Sequence, residues 1–451
     1  MERKSYTIAI DLGSSHVVAM AGFRGEEGKV HVDDVAVKEV EGMMHGEIRN
    51  IELVAKSIRE VVSELEKRLG IRVSEAYTGI SGQHIKCAKH SYHVFVGRDG
   101  EISKDDVEKL NESMRNVQAP EGEKILHIIP QHYIIDDRDE VPDPVGMFGR
   151  KLEATFHFVL GEHVPVSRLE NALMRVGVRQ VQMYINPLVT ADAVVLPDEQ
   201  ELGVAVVDIG AGTTDVTIYH DKIVRHVGVI PLGAETINRD IRSYGILERY
   251  VEDLKVKYGS AVPDNTSAEK VIKVPGRTPK EISFHTLAAI IEARLQDIFD
   301  FVMGEIRQAG YENRLTAGIV LTGGCAQLND IDLMVKNYTR LDVRIALPDV
   351  CVDEASLELV DDARFATAVG ILKKGIESGR TSNLGPVRPV RPTIPHIGTG
   401  MGQGGAMPAP DALPDKTEEG GKKRKNLFGK FTSSISDIFR VVDDDNDTTF
   451  D

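Results

Sequence analysis

The sequence contains little cysteine, no charged-then-apolar leader and no long apolar run. Three cysteines, Cys87, Cys325 and Cys351, are widely spaced, and an odd, sparse set is typical of reduced thiols rather than of a disulfide framework. No apolar stretch approaches the roughly 20 residues that a bilayer-spanning helix requires. No N-terminal signal segment is present either. We therefore expect a cytosolic protein whose contact with any membrane is peripheral.

Positive charge is also scarce, and two common binding motifs are missing. Lys and Arg total 54 against 70 Asp and Glu, which gives a formal net charge of −16. A general nucleic-acid binder needs a basic surface that displaces counterions, so we expect no nucleic-acid partner. The chain contains no Walker loop and no Cys-x-x-Cys pair of the kind found in zinc sites.

Short apolar runs alternate with longer amphipathic stretches from about residue 4 to residue 374. Residues 84–161 read as strand, helix, strand and strand, which predicts an inserted small domain. Such a mixture predicts an α/β fold. Outside this insertion, the apolar pattern predicts strands at residues 7–11, 204–208 and 318–322 and helices at residues 51–69 and 287–309.

One motif occurs twice, about two hundred residues apart. Each copy is an apolar strand that ends in Asp, an apolar residue and Gly, followed by small or hydroxyl residues. Such a turn exposes consecutive backbone N–H groups that can cradle phosphate oxygens, and the Asp suits a hydrated Mg²⁺. A single copy could merely mark a tight hairpin, but two matched copies favour a phosphate site. The predicted residues are Asp11, Gly13, Ser14 and Ser15 in the first copy and Asp208, Gly210, Gly212, Thr213 and Thr214 in the second, with Asp11 and Asp208 as the metal ligands.

Two further glycine positions are candidates for the same site. Gly323 and Gly324 follow the predicted strand at residues 318–322, where backbone without side chains would let a flat nucleoside lie against the chain. Alone this signal is weak, because Gly-Gly often only ends a strand. Gly233 opens a predicted helix at residues 235–244 and is a weaker candidate at a helix N-terminus.

These elements, in this order, resemble the actin-like ATPase superfamily. The first turn is similar to its phosphate-1 motif, the second to its phosphate-2 motif, and residues 321–324 to its adenosine motif. Glu252 and Lys255 lie where members of the superfamily contact the adenosine, although an exposed charged helix face is the alternative interpretation. The resemblance implies a two-domain actin-like (ribonuclease H-like) fold with ATP and Mg²⁺ as cofactors.

Segments outside these motifs resemble one family, the bacterial cell-division protein FtsA. In that family a small α+β subdomain, called 1C, replaces the 1B subdomain of actin. The resemblance implies self-association into actin-like protofilaments on the cytoplasmic face of the cell membrane at the division site. It also implies binding to the C-terminal peptide of FtsZ, to anionic inner-membrane lipids and to later division proteins. The segments are residues 80–85, 126–133, 144–147 and 201–204.

Composition and resemblance together divide the chain into seven segments. Residues 385–421 are rich in Pro and Gly and are predicted to form a flexible linker. The predicted order is domain 1A (1–83), inserted subdomain 1C (84–162), the return of 1A with a connecting helix (163–200), domain 2 (201–384), linker (385–421), amphipathic helix (422–442) and acidic tail (443–451).

The connecting segment departs from the resemblance. Residues 181–196 resemble the family's first connecting helix, where hydrolysing relatives carry Glu or Gln to position the attacking water. This chain has Asn186-Pro187 there. A water-positioning side chain is worth orders of magnitude in phosphoryl transfer. We therefore expect slow or negligible ATP turnover, and we identify no catalytic residue.

The predicted C-terminal helix combines cations at one end with a single apolar stripe, which is typical of a helix lying in a lipid headgroup layer. Docking on the folded body or in a groove of another protein are the alternatives. The predicted lipid-binding residues are Lys422, Lys423, Arg424, Lys425, Leu427, Phe428, Phe431, Ile435, Ile438 and Phe439.

Two other functions compete with a membrane-anchored cytoskeletal protein. A type IV pilus assembly protein of the PilM kind shares the inserted small domain but lacks a terminal amphipathic helix. The predicted helix at residues 422–442 therefore distinguishes the two functions. A small-molecule kinase or chaperone ATPase of the same superfamily is the other alternative. A kinase needs a catalytic base beside a substrate pocket, and the sequence offers no candidate.

Overall fold

The computed structural model describes residues 5–97, 99–275 and 279–379. All of them belong to one compact unit of the chain. The predicted linker (385–421), the predicted lipid-binding helix (422–442) and the acidic tail (443–451) lie outside the described residues. No helix among the residues that are described is long and apolar enough to cross a membrane.

The strands and helices alternate along the chain. Within the described residues the strands are β1 (Thr7–Leu12), β2 (His16–Arg24), β3 (Val30–Glu39), β4 (Met43–Met44), β5 (Glu47–Ile48), β6 (Glu75–Ile80), β7 (Ile85–Phe95), β8 (Glu123–Ile135), β9 (Asp139–Val141), β10 (Lys151–Glu162), β11 (Arg179–Ile185), β12 (Val204–Ile209), β13 (Thr214–His220), β14 (Ile223–Ile230), β15 (Val271–Val274), β16 (Lys280–Ser283), β17 (Ile319–Thr322) and β18 (Val343–Ile345). The α-helices are α1 (Ile51–Leu69), α2 (Lys104–Arg115), α3 (His163–Val176), α4 (Asn186–Val194), α5 (Pro197–Leu202), α6 (Ala234–Ser243), α7 (Glu248–Tyr258), α8 (Phe284–Ala309), α9 (Ile331–Thr339) and α10 (Ala366–Glu377).

Two five-stranded sheets repeat one topology and define two lobes. The first lobe has the order β3-β2-β1-β6-β11 and the second the order β14-β13-β12-β17-β18. In each sheet the first three strands are antiparallel, and the last two run parallel to the central strand. The central strands β1 and β12 therefore end at equivalent places, and each leads into one of the predicted turns.

Long amphipathic helices cover these sheets, and local chemistry sets their ends. The side chain of Asn50 accepts hydrogen bonds from the backbone N–H groups of Glu52 and Leu53 and so begins α1, and Gly70 ends it at a φ of 64°. The predicted helix at residues 51–69 is therefore confirmed. Its buried stripe at helical spacing packs on β2 and β3 and comprises Val54, Ile58, Val61, Val62 and Leu65.

The inserted subdomain forms its own sheet and core. Its strand order is β7-β10-β8-β9, with antiparallel pairing throughout. Helix α2 buries Leu110 and Met114 against this sheet, where Leu152 and Phe156 also lie. The predicted strand, helix, strand and strand are all present, and the short strand β9 is an addition that the sequence pattern did not indicate.

The connecting segment is only partly helical, so the expectation of a helix over residues 181–196 was wrong at its start. Strand β11 takes Arg179–Ile185, because those residues pair in parallel with β6 at the edge of the first sheet. Helix α4 begins at Asn186, with Pro187 in its first turn, where a missing N–H costs nothing. Helices α4 and α10 pack together between the two lobes, beside the ends of β1 and β12.

Candidate functional site

A cavity of about 850 Å³ opens between the ends of β1 and β12. Both hairpin turns line it, together with the starts of α4 and α10, helix α7 and the turn after β17. All but two of the residues predicted to form the site lie in its wall. They are Asp11, Gly13, Ser14, Ser15, Asp208, Gly210, Gly212, Thr213, Glu252, Lys255, Gly323 and Gly324.

Thr214 and Gly233 are the two predicted residues that do not line the cavity. Thr214 is fully buried, and its hydroxyl donates to the carbonyl oxygen of Leu232 at 2.9 Å. Gly233 precedes α6, whose first amides, from Ala234 and Glu235, donate to carbonyl oxygens of the second turn at 2.9 and 2.8 Å. The first amides of α6 therefore hold the second turn in place, and Ala234 and Glu235, but not Gly233, line the cavity.

The two turns have the same hydrogen-bonded form. The N–H of Gly13 donates to the carbonyl of His16 at 3.0 Å, and the N–H of Gly210 donates to the carbonyl of Thr213 at 2.9 Å. Each hairpin thus closes at its glycine and leaves the two tip residues in the cavity wall. The turns are local products of their own sequences, because every bond that closes them joins residues three apart.

The turns also contact each other across the two lobes. A Cβ at Gly212 would lie 2.4 Å from Oγ of Ser14, so this position has room only for glycine. Nδ1 of His45 lies 3.1 Å from the carbonyl oxygen of Gly212. The N–H of Gly46 donates to the Ser14 hydroxyl at 3.0 Å. The first lobe and the second turn therefore form one continuous wall.

Three carboxyl groups from both lobes meet in this wall. Asp11 and Asp215 are buried and Asp208 is partly buried. Desolvation, followed by the charge of Asp208, raises the pKa of Asp11 to about 7. Desolvation raises the pKa of Asp208 to about 6, and burial followed by the charge of Asp208 raises the pKa of Asp215 well above its usual range. A cation at this wall would relieve the repulsion among the three groups.

A metal ion here would take only part of its coordination from the protein. Among the described residues, no group of three or more His, Cys, Asp or Glu side chains is arranged to hold a metal ion. Mg²⁺ is usually bound through one or two carboxylates, with waters and phosphate oxygens completing its octahedron. Asp11 and Asp208, the predicted metal ligands, fit this kind of site better than a closed metal cage.

Each carboxyl group has a polar neighbour from a distant part of the chain. The Ser81 hydroxyl donates to Oδ1 of Asp215 at 2.8 Å, and the Thr367 hydroxyl donates to Oδ2 of Asp208 at 3.2 Å. The side-chain amide of Asn186 lies 3.5 Å from Oδ1 of Asp11. Sequence reasoning missed Ser81, Thr367 and Asp215. Only Asp215 left a signal, because hairpin register places it directly opposite Asp208.

The double glycine after β17 lines the cavity directly beside Asp208 and the second turn. Gly323 has a φ of +85°, and a Cβ there would lie 2.1 Å from Oδ1 of Asp208. Gly324 begins a 3₁₀ turn that borders the side chain of Arg364. The Arg364 guanidinium is held by Asp362, with 2.8 Å from Nε to Oδ2. Gly323 and Gly324 thus contribute backbone without side chains to the cavity lining beside the second turn.

Glu252 and Lys255 form a hydrogen-bonded pair at the rim. Nζ of Lys255 donates to Oε2 of Glu252 at 2.8 Å, and the Asn238 amide donates to the same oxygen at 2.7 Å. Desolvation opposes ionisation of Glu252, but the Lys255 charge and these hydrogen bonds outweigh it and lower its pKa. Lys255 is buried, so the interpretation as an exposed charged face holds for Glu252 alone. Oδ1 of Asn238 is buried without a hydrogen-bond partner in the described part of the chain.

Comparison with known proteins finds cell-division proteins along most of the chain. A family model described as "SHS2 domain inserted in FTSA" matches residues 82–160, and one described as "Cell division protein FtsA" matches residues 205–370. FtsA of Pseudomonas aeruginosa is 32% identical over 374 residues, which cover 82% of this chain and 89% of the relative. FtsA of Neisseria meningitidis is 33% identical over 376 residues, which cover 82% and 90%.

Solved structures are similar at the level of fold. The PilM–PilN type IV pilus biogenesis complex matches with a TM-score of 0.58 and 16% identity, covering 82% of this chain and 98% of the matched chain. MreB5 of Spiroplasma citri bound to ADP matches with a TM-score of 0.50 and 16% identity, covering 83% and 99%. The predicted actin-like α/β fold with an inserted small subdomain is therefore confirmed.

Proposed function

Because the chain belongs to the FtsA family of cell division proteins, we propose that it binds Mg-ATP in the cavity between its two lobes. In this proposal the protein assembles into actin-like protofilaments on the cytoplasmic face of the membrane. There it anchors the FtsZ ring through the C-terminal peptide of FtsZ and contacts later division proteins.

One observation supports the nucleotide part of the proposal: the two matched turns meet in the wall of a single cavity. Its volume of about 850 Å³ lies within the roughly 300–1,000 Å³ typical of small-molecule sites. The tip amides of both turns suit phosphate oxygens, and Asp11 and Asp208 suit a hydrated Mg²⁺. The similar MreB5 of Spiroplasma citri has been solved with ADP and with AMPPNP.

The lining after β17, next to the second turn, suits a nucleoside. Gly323 and Gly324 offer flat backbone, and Asn238 offers a buried acceptor that a ribose hydroxyl or an adenine amine would satisfy. Slow hydrolysis is part of the proposal. The side chain at the start of α4 is the short amide of Asn186, which lies beside Asp11. A Glu or Gln side chain, which would be long enough to orient a water, is absent from that position.

Titration calorimetry of the full chain with ATP, with and without Mg²⁺, tests the site. Asp208→Ala should weaken Mg-ATP binding by about tenfold or more while metal-free binding changes less, because the lost group contacts the metal. Gly324→Val should weaken ATP binding both with and without Mg²⁺, because the valine side chain would block the backbone that is proposed to contact the nucleoside. Asp332→Ala, an exposed substitution on α9, is the matched control. Unchanged affinities in both test variants would reject this site.

Co-sedimentation tests the membrane part separately. The full chain should pellet with vesicles that contain anionic lipid and less with neutral ones, because the predicted helix over residues 422–442 combines cations with an apolar stripe. A chain ending at Gly421 should lose pelleting but keep ATP binding. Full pelleting of the shortened chain would refute the helix assignment. Adding polymerised FtsZ to each arm tests the proposed anchoring.

A further inference from the structure

A second cavity, of about 260 Å³, lies at the seam between the inserted subdomain and the second lobe. Strands β7, β8 and β10 of the inserted subdomain form one side of it. Strand β14 and the loop after α8 form the other. We call it the seam pocket, and its lining residues include Lys89, His132, His157, Arg225, Tyr311 and Arg314.

The seam pocket concentrates positive charge in a protein whose net charge is −16. Lys89, Arg225 and Arg314 line it, and no Asp or Glu is among the lining residues. Lys89 and Arg314 are exposed, and neither forms an ion pair with any residue the structure describes. The Arg314 guanidinium lies over the Tyr311 ring, with its Cζ 5.9 Å from the ring centre. Two cations therefore face the pocket without a counter-charge.

Arg225 is buried and held in a fixed orientation from both sides of the seam. Its Nε donates to the His220 carbonyl at 3.1 Å, and one terminal nitrogen donates to Oδ2 of Asp221 at 3.3 Å. Its other terminal nitrogen donates to Oε1 of Gln131 at 3.3 Å. The Gln131 amide donates in turn to the carbonyl of Val224 at 2.8 Å. The His132 ring lies 2.6 Å from the terminal nitrogen that binds Asp221 and 3.3 Å from the other one. The donors of Arg225 are thus engaged within the protein, and Arg225 contributes a fixed positive charge to the pocket wall, while the exposed Arg314 and Lys89 remain to contact an anion.

Two carboxylates that contact residues of strand β14 or its preceding turn already have partners. Asp221 contacts Arg225 and, at 2.8 Å, the His220 ring. Glu305 contacts the ring of His226 at 2.6 Å. The pKa of the buried His157 ring reflects the positive charges around the pocket. Burial, followed by the charges of Lys89, His226 and Arg225, lowers the pKa of His157 to about 4.

We infer that the seam pocket is a second ligand site, which binds a small phosphate-type oxyanion and bridges the inserted subdomain to the second lobe. Arginine presents a planar fork of donors that matches phosphate oxygens, and Lys89 adds a point charge from the opposite side. The pocket is too small for a folded partner but has room for one or two phosphate groups. Because its walls belong to different subdomains, an occupied pocket should hold them together more firmly than an empty one.

Calorimetry with pyrophosphate, with EDTA in place of Mg²⁺, tests the inference. Without a cation the three carboxyl groups of the first cavity weaken anion binding there, and only the binding heat that a seam-pocket variant loses relative to the wild type is assigned to the seam pocket. The double variant Lys89→Gln/Arg314→Gln should bind pyrophosphate at least about tenfold more weakly. Both residues are exposed, so the fold should tolerate the change. The matched control is Arg59→Gln/Lys67→Gln on α1, which removes the same charges from exposed positions.

The inference stands if the wild type and the control bind pyrophosphate and the test variant does not. Charge-preserving Lys89→Arg/Arg314→Lys should restore binding. Inorganic phosphate and metal-free ATP, titrated in parallel, distinguish a free oxyanion from a nucleotide phosphate as the source. Hydrogen exchange of β8 and β14 should slow when pyrophosphate is bound. Equal binding by the test variant and the wild type, or no binding by any of them, would overturn the inference.

Discussion

The two lobes share a topology but contribute different chemistry to the cavity. In the first lobe the hairpin pairs Asp11 with Val18, and in the second it pairs Asp208 with Asp215. The first turn carries hydroxyls at its tip, whereas the second carries Ala211 and Gly212. The first lobe therefore supplies hydroxyl donors and one carboxyl group, and the second supplies two carboxyl groups and a close-fitting backbone. The two lobes therefore share a strand order but differ in the side chains at the ends of β1 and β12.

The largest expected effect comes from the position after β17. Strand register makes Gly323 equivalent to Ile80 of the first lobe, where a side chain is accommodated. At Gly323 a Cβ would lie 2.1 Å from Oδ1 of Asp208, and the backbone conformation is one that is almost confined to glycine. Gly323→Ala should cost about 2–4 kcal/mol of unfolding free energy and abolish Mg-ATP binding. Urea denaturation and calorimetry measure both quantities.

Gly304→Ala on α8 is the control, because its added Cβ would meet open space. Replacing a helical glycine with alanine should raise stability slightly. A Gly323→Ala variant that is as stable as the wild type and still binds Mg-ATP would contradict this prediction, because it would show that the close contact with Asp208 does not require glycine.

The second prediction concerns the extra carboxyl group of the second lobe. Asp11 and Asp208 have pKa values raised to about 7 and about 6, and that of Asp215 is also raised. Between about pH 4 and 7 the nucleotide-free fold holds more protons than the unfolded chain, so its stability should fall as pH rises. Asp215→Asn removes one buried charge. It should flatten this slope and raise the melting temperature by a few degrees at pH 8, with little change at pH 5.

Melting curves from pH 5 to pH 8, with and without Mg²⁺, check the pH dependence. Magnesium should stabilise the wild type more than Asp215→Asn at pH 8, because a cation relieves the same repulsion. Asp332→Asn, an exposed substitution, should leave the slope unchanged. If the melting temperature changed with pH equally in the wild type and in Asp215→Asn, the buried carboxyl groups would not control stability between pH 5 and pH 8.

The smallest effect is expected where the first lobe supports the second. The Ser81 hydroxyl donates to Asp215 at 2.8 Å in a buried setting. Ser81→Ala should cost about 1 kcal/mol, the usual net value of one such hydrogen bond. The loss should largely disappear in the Asp215→Asn background if the two groups act as a pair. Ser113→Ala on α2, a half-buried serine whose hydroxyl donates to the Lys109 carbonyl of its own helix at 2.8 Å, serves as the reference. Strictly additive losses would contradict the pairing.

The local parts of the site were predictable, and the long-range parts were not. The turn after β1 and the turn after β12 follow from residues that are adjacent in the chain, so composition and strand pattern suffice. Glu252 and Lys255 were predicted through family resemblance and do line the cavity. Gly233 fits the pattern of an anion-binding helix start, but only the fold shows that the first amides of α6 bind the second turn.

By itself, the sequence determined the two hairpins, the capped helix α1 and the inserted subdomain, because these depend on spacing within a few turns of chain. Only the tertiary structure decided that Asp11 joins Asp208 and Asp215 in one wall, that Ser81 meets Asp215 and that Arg225 meets Gln131. These contacts join residues about 90 to 200 positions apart. Burial and mutual repulsion, not residue type, set the pKa values of the three carboxyl groups, and both arise only when the lobes pack together.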